Sequence, residues 1–156
     1  MKITKIATSP ERGKLLISSA PQPEEIPDYV DVVICLLEWK ELSKYKMSNY
    51  PGDVQRRGIK FYHIPTQDMT APNVSELTGI VPVIIKHLSN GENVLVHCLA
   101  GLGRSGVVCA CCLMHYGLDG KVSMREVRLR RPGSILTTKQ ENCVLSYARR
   151  FVMIAN

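Results

Sequence analysis

With 156 residues, 45% of them hydrophobic and 22% charged, the chain suits one domain with a substantial core, and neither a disordered nor a fibrous composition fits. Six cysteines, at positions 35, 98, 109, 111, 112 and 143, follow neither a disulfide framework nor zinc-ligand spacing, so most read as small core residues in a reducing compartment. The formal charge of +6 favours encounter with anionic partners, and with no signal-peptide core at Met1 to Ile6 and no apolar run of membrane-span length, a cytoplasmic protein is expected.

Ile3 to Ala7 and Lys14 to Ser18 read as short strands around a Ser-Pro-Glu-Arg-Gly turn, which predicts an N-terminal hairpin. Pro21, Pro23 and Pro27 hold the next stretch in a loop or short helical turn. Asp31 to Leu37 is a nearly continuous β-branched and apolar run, the pattern of a central strand covered on both faces. Glu38 to Met47 suits a short helix broken by Pro51-Gly52, a helical turn follows at 53–57, and Ile59 to Ile64 is the next strand, ended by Pro65. Residues 65–72 form a loop. Asn73 with Glu76 is a capping-box pattern opening a helix to about residue 89, which Pro82 is expected to kink or divide. Val94 to His97 is another strand, so strand, helix and strand form a right-handed crossover whose strands end at one sheet edge, where ligands of open α/β sheets bind.

Val107 to Met114 is apolar nearly all round and predicts a buried helix. Ser123 with Glu126 marks the start of a basic helix ended by Pro132-Gly133, and Thr137 with Gln140, or Thr138 with Glu141, starts a last helix to about Phe151. The expected fold is α/β: a mostly parallel central sheet of four to five strands flanked by helices, in a single domain over residues 1–156.

The chemistry concentrates in residues 94–106, where an apolar strand stops at His97-Cys98, a short glycine-containing loop follows, and Arg104-Ser105 opens the buried helix. Five residues between Cys98 and Arg104 suffice to curl one loop with its backbone N–H groups inward, and Gly101 and Gly103 permit that curl. The helix N-terminus adds its dipole to the same spot, and Arg104 supplies a fork matched to two phosphate oxygens. A thiol in such a field loses its proton readily. The arrangement predicts a nucleophile beneath a bound phosphate.

His97-Cys98-Leu99-Ala100-Gly101-Leu102-Gly103-Arg104-Ser105 resembles the His-Cys-x5-Arg-Ser/Thr signature of the cysteine-dependent protein tyrosine phosphatase superfamily. The short length, the acid loop between Ile64-Pro65 and Pro72, and the stretch Arg128 to Gly133 are similar to compact dual-specificity or archaeal-type members. The resemblance implies a phosphatase-type P-loop between strand and helix, Cys98 as nucleophile, Arg104 and the amides of Leu99, Ala100, Gly101, Leu102, Gly103 and Arg104 as the phosphate cradle, and Asp68 as general acid and later base. It further implies that Ser105 hydrogen-bonds the sulfur, that His97 orients the loop, and that Gln140 positions the hydrolytic water; a capping role explains Gln140 equally well.

Cys35 or Cys143 is a candidate partner for an oxidised Cys98. His63, His87 and His115 read as structural or exposed, and the arginines at 125, 128, 130 and 131 as a solvated basic face. The expected function is hydrolysis of phosphotyrosine in proteins or peptides, with phosphoserine and phosphothreonine as further substrates. Phosphoinositides, RNA 5′-phosphates and binding of phosphopeptides without turnover are the alternatives. Neither cofactor nor metal is expected, nor a membrane partner; nucleic acid is the lesser partner and a monomer the expected state.

Overall fold

The computed structural model describes residues 1–155, with side chains through Val152. Five strands form one sheet in the order β1 (Ile3–Thr8), β2 (Lys14–Ser18), β5 (Val94–His97), β3 (Val32–Cys35), β4 (Lys60–His63). The hairpin of β1 and β2 is antiparallel, and β2, β5, β3 and β4 all run parallel. The sheet is therefore mostly parallel, and its carboxyl edge gathers the ends of four strands.

Alternation along the strands explains the helix layers on the two faces. Ile17, Ile34, Val94 and Val96 enter a core shared with α3 (Val74–Ser89), α4 (Arg104–Met114) and α6 (Thr138–Ala155). Leu16, Val33 and Leu95 face the other way, into a core with α1 (Trp39–Lys44) and α2 (Tyr50–Gln55). The remaining α-helix, α5 (Gly120–Arg130), packs on α4 and α6. Every residue of α4 is buried, including Arg104 and Ser105 at its start, so the loop ahead of it rests on a rigid base.

Three local expectations are corrected. Pro51-Gly52 does not break a helix: it lies in the first turn of α2, where a missing N–H costs nothing. Pro82 does not divide α3, which is one helix; the proline sits on its exposed side, where a carbonyl left without a donor can be hydrated, and the apolar side stays continuous. The capping pattern at Ser123 is not the start of α5: Asp119 accepts from the Val122 amide at 2.9 Å and opens the helix at Gly120, leaving Ser123 buried. The Asn73/Glu76 box is present in both directions, at 2.7 and 3.0 Å. Of the two candidates for α6, Thr137 and Gln140 form the cap, since Gln140 N–H donates to Thr137 Oγ1 at 3.1 Å and Thr137 N–H to Gln140 Oε1 at 3.2 Å.

Candidate active site

The segment between β5 and α4 is built by sending its carbonyls outward. Cys98 O accepts from His97 Nδ1 at 3.0 Å, Leu99 O from the Ala20 amide at 2.9 Å, Gly101 O from Arg131 Nε at 2.6 Å, and Leu102 O from the Ile135 amide at 3.1 Å. Arg131 also reaches Ala100 O at 3.5 Å and anchors its other end on Thr4 Oγ1 at 2.8 Å. Successive carbonyls are engaged outside the loop, and among the described residues none of the amides of residues 99–103 has a protein acceptor, which leaves them available to an anion. Gly101 makes the curl possible: its φ is +73°, and a Cβ there would lie 2.3 Å from the Ser18 carbonyl at the end of β2.

At the start of this loop, Cys98 Sγ lies 3.2 Å from Ser105 Oγ, and both side chains are buried. His97 is fully buried, and burial lowers its pKa to about 4, so the ring is neutral at pH 7. Because Nδ1 must donate to the Cys98 carbonyl, Nε2 carries the lone pair and accepts from the buried Tyr50 hydroxyl at 3.1 Å. The Cys98 carbonyl thus sets the tautomer, and Tyr50 on α2 steadies the orientation, of the residue next to the sulfur.

Arg104 is 1% exposed, and its fork is spoken for on one side. Nη1 donates to Glu41 Oε1 at 2.7 Å and to Thr66 O at 2.8 Å, while Nη2 donates to Glu41 Oε2 at 3.0 Å. Burial pulls the guanidinium pKa down, but Glu41, together with Cys98 and Asp68, more than offsets this and holds the cation. Burial likewise works against the Glu41 carboxylate, yet its bonds to Arg104 keep its pKa below the usual range. Nε–H and the second Nη2–H remain, two adjacent parallel donors suited to two oxygens of one tetrahedral anion. Asp68 Oδ1 stands 3.4 Å from Nη2, on a side chain 64% exposed to the cleft. That cleft, about 490 Å³, is lined by Glu41, Lys44, Tyr45, Asp68 and Leu99.

Cys98, Arg104, Ser105, Asp68 and the loop 99–103 thus meet at the carboxyl edge of the sheet. Gln140 is adjacent: it is 1% exposed, its Oε1 accepts from the amides of Leu136 and Thr137, its Nε2 donates to Thr70 O at 2.9 Å, and a Cβ on Gly103 would come within 2.7 Å of it. Cys35 pairs in register with His97, one residue from Cys98, and burial pushes its thiol up to about 12. Cys143 sits behind the loop that carries Asp68, donating to Pro72 O at 3.0 Å. The solvated-face reading of the basic segment is corrected at two positions: Arg128 donates to Ser134 O, Ile135 O and Glu141, and Arg131 braces the loop, leaving Arg125 and Arg130 exposed. His63, His87 and His115 are each hydrogen-bonded within the fold, to Leu37 O, to Tyr62 and Glu92, and to Tyr147.

Glu41, Tyr50 and Arg131 escape sequence reasoning. Glu41 leaves one trace, an acidic residue just after the central strand that ends at the same edge; Tyr50 leaves none. Among the described residues no cluster of His, Cys, Asp and Glu is placed to hold a metal, and no helix is long and apolar enough to cross a membrane.

Residues 19–118 match the family described as "Tc-R-P: Polymorphic toxin system, DSP-PTPase phosphatase". Cyclin-dependent kinase inhibitor 3 of Homo sapiens is 35% identical over 105 residues, covering 65% of this chain and 50% of that protein, so the chain spans about half the length of this relative. Among solved structures, Tk-PTP in the active form is 32% identical, with a TM-score of 0.79 over 90% of this chain and 95% of that one. Kinase associated phosphatase, solved with its catalytic-site cysteine replaced by serine, shares the fold at 23% identity, with a TM-score of 0.86 over 97% and 96% of the two chains.

Proposed function

The chain belongs to the DSP-PTPase phosphatase family, and we propose that it hydrolyses phosphotyrosine in proteins, with phosphoserine and phosphothreonine as further substrates, through a cysteinyl-phosphate on Cys98. The observation that supports this reading is the loop between Cys98 and Arg104, whose carbonyls are engaged outside it and whose amides have no protein acceptor, joined to an Arg104 that keeps two donors unused. Such a loop complements the equatorial oxygens of a phosphoryl group in transfer. Sγ attacks phosphorus, the bond from phosphorus to the ester oxygen breaks, and protonated Asp68 supplies the proton that the departing oxygen takes. Water then attacks the phosphocysteine, the Asp68 carboxylate accepts its proton, and inorganic phosphate leaves; Ser105 Oγ–H stabilises the sulfur as it is released.

Residues 1–119 carry equal numbers of acidic and basic side chains, so the whole excess of +6 lies in residues 120–156. That asymmetry favours an anionic macromolecule and keeps RNA 5′-phosphate as the second reading. The test is a panel of phosphotyrosine, phosphothreonine, phosphoinositide and triphosphate-RNA substrates on purified protein, with Cys98→Ser beside it. Phosphopeptide turnover, abolished in Cys98→Ser while orthovanadate still binds, is the expected result. Persistent turnover in that variant, or no labelled phosphate on the wild-type sulfur in acid-quenched turnover, would overturn the mechanism; preference for RNA would overturn the substrate.

A further inference from the structure

The loop that carries Asp68 is fixed from two sides. Its first half is tied to the sheet and to the phosphate-loop arginine: the amides of Ile64 and Thr66 donate to Cys35 O at 2.9 Å and Leu36 O at 3.1 Å, and Thr66 O accepts from Arg104 at 2.8 Å. Its second half has no strand to lean on. There, three carbonyls accept from three side chains at the start of the last helix: Met69 O from Thr137 Oγ1 at 3.1 Å, Thr70 O from Gln140 Nε2 at 2.9 Å, and Pro72 O from Cys143 Sγ at 3.0 Å. Positions 137, 140 and 143 share one side of α6, so the helix presents its donors as a ladder. Between the two anchorages Met69 is held at φ +66°, a left-handed conformation that a side-chain-bearing residue keeps only when its surroundings impose it. The amide of this residue donates to Asp68 Oδ1 at 2.9 Å, so the turn it makes also aims the carboxyl group.

We propose that Thr137 and Cys143, with Gln140 between them, are positioning residues for proton transfer: they latch the acid loop to α6 and thereby hold Asp68 over the cleft. The proposal rests on Asp68 as the general acid. Gln140 lies against Gly103 of the cradle, but Thr137 and Cys143 hydrogen-bond only to the loop and to the start of α6, so their loss separates two things that a structural lesion would lower together. Bond making at phosphorus continues, and assistance to the leaving group fails. Gln140 is the poorest probe because its Oε1 accepts from two amides at the start of α6; Thr137→Val also removes the acceptor of the Gln140 amide, a cap that Thr137→Ser keeps, so the serine pair separates the cap from the methyl-for-hydroxyl change and Cys143 carries no cap at all.

The experiment compares single-turnover phosphorylation of Thr137→Val/Cys143→Ala, Thr137→Ser/Cys143→Ser and wild-type protein by p-nitrophenyl phosphate, a good leaving group, and phenyl phosphate, a poor one, with Asp68→Asn as reference. Two hydrogen bonds lost together shift the balance between held and free loop by about tenfold, given that a thiol is a weak donor. The Val/Ala variant is expected to lose about tenfold on phenyl phosphate and less than about twofold on p-nitrophenyl phosphate and in orthovanadate affinity, with the serine pair restoring the wild-type pattern. Equal losses on both substrates, no loss on either, or no rescue by serine would overturn the latch. If Asp68→Asn discriminates between the leaving groups and the Val/Ala variant does not, the latch alone fails. If Asp68→Asn itself treats both alike, the assignment of the acid falls and the latch falls with it.

Discussion

Replacing Glu41 tests whether Arg104, proposed to bind phosphate, is aimed from α1. Glu41→Ala strips both oxygens from a guanidinium that is 1% exposed, and deleting one partner of a buried ion pair costs about 3–5 kcal/mol. Two features bring this toward the low end: Arg104 keeps Thr66 O, and the Glu41 side chain is itself 13% exposed, so about 2–3 kcal/mol is expected from the pair. Glu41 Oε1 also accepts from the Glu38 amide and caps α1, which adds about 1 kcal/mol. Glu41→Gln keeps the cap with its oxygen in the Oε1 place, but its amide nitrogen then faces Arg104 Nη2, donor against donor, so one contact is lost and the other becomes neutral, a loss of about 2 kcal/mol. With its fork freed, Arg104 leaves the geometry that two phosphate oxygens require, and a displacement of about 1 Å lowers kcat/KM by about a hundredfold. The pH dependence has a definite sign. The Glu41 pKa is lowered in the fold, so its contribution is complete above the ordinary carboxylate range and disappears as pH falls through the lowered value. The gap in stability between wild type and Glu41→Ala should therefore be full at neutral pH and narrow in strong acid. Urea unfolding at both pH values and aryl phosphate kinetics measure the two effects. Glu41→Ala with stability within about 0.5 kcal/mol of wild type and unchanged kcat/KM would refute the argument.

His97 and Gly101 give two further tests. The folded His97 pKa of about 4 lies below that of an unfolded imidazole, so the unfolded chain takes up a proton first and stability falls as pH drops from about 6.5 to about 4, by about 3 kcal/mol in all. His97→Asn keeps a donor for the Cys98 carbonyl and should lose correspondingly less over that window; equal losses in both chains, by urea midpoints, would contradict the assignment. Gly101→Ala would place a methyl group 2.3 Å from Ser18 backbone atoms at a φ of +73°, so a loss of about 2–4 kcal/mol together with weakened orthovanadate binding is expected. A Gly101→Ala protein that binds orthovanadate like wild type would show that the loop does not depend on that close approach.

Much of this architecture is encoded locally. The alternating and continuous apolar runs mark the strands, and Cys98 to Ser105 holds within eight residues the proposed nucleophile, the glycine that turns the loop and the arginine at its end, because an anion cradle is built from consecutive amides. Spacing alone brings Asp68 to the same sheet edge, since parallel strands ending together is a property of the crossover. What the chain conceals locally is support from a distance. Glu41 lies 63 positions before Arg104 and Tyr50 lies 47 before His97; they arrive because β3 pairs beside β5 and its following helices lie over that edge. Arg131 and Gln140 look like surface charge and a helix cap until β1, the loop and α6 are brought together. The sequence by itself determined which residues are proposed to react, because that motif is local; only the tertiary structure decided how they are held, because the groups that hold them are contributed across the sheet and become neighbours only once its strand order is set.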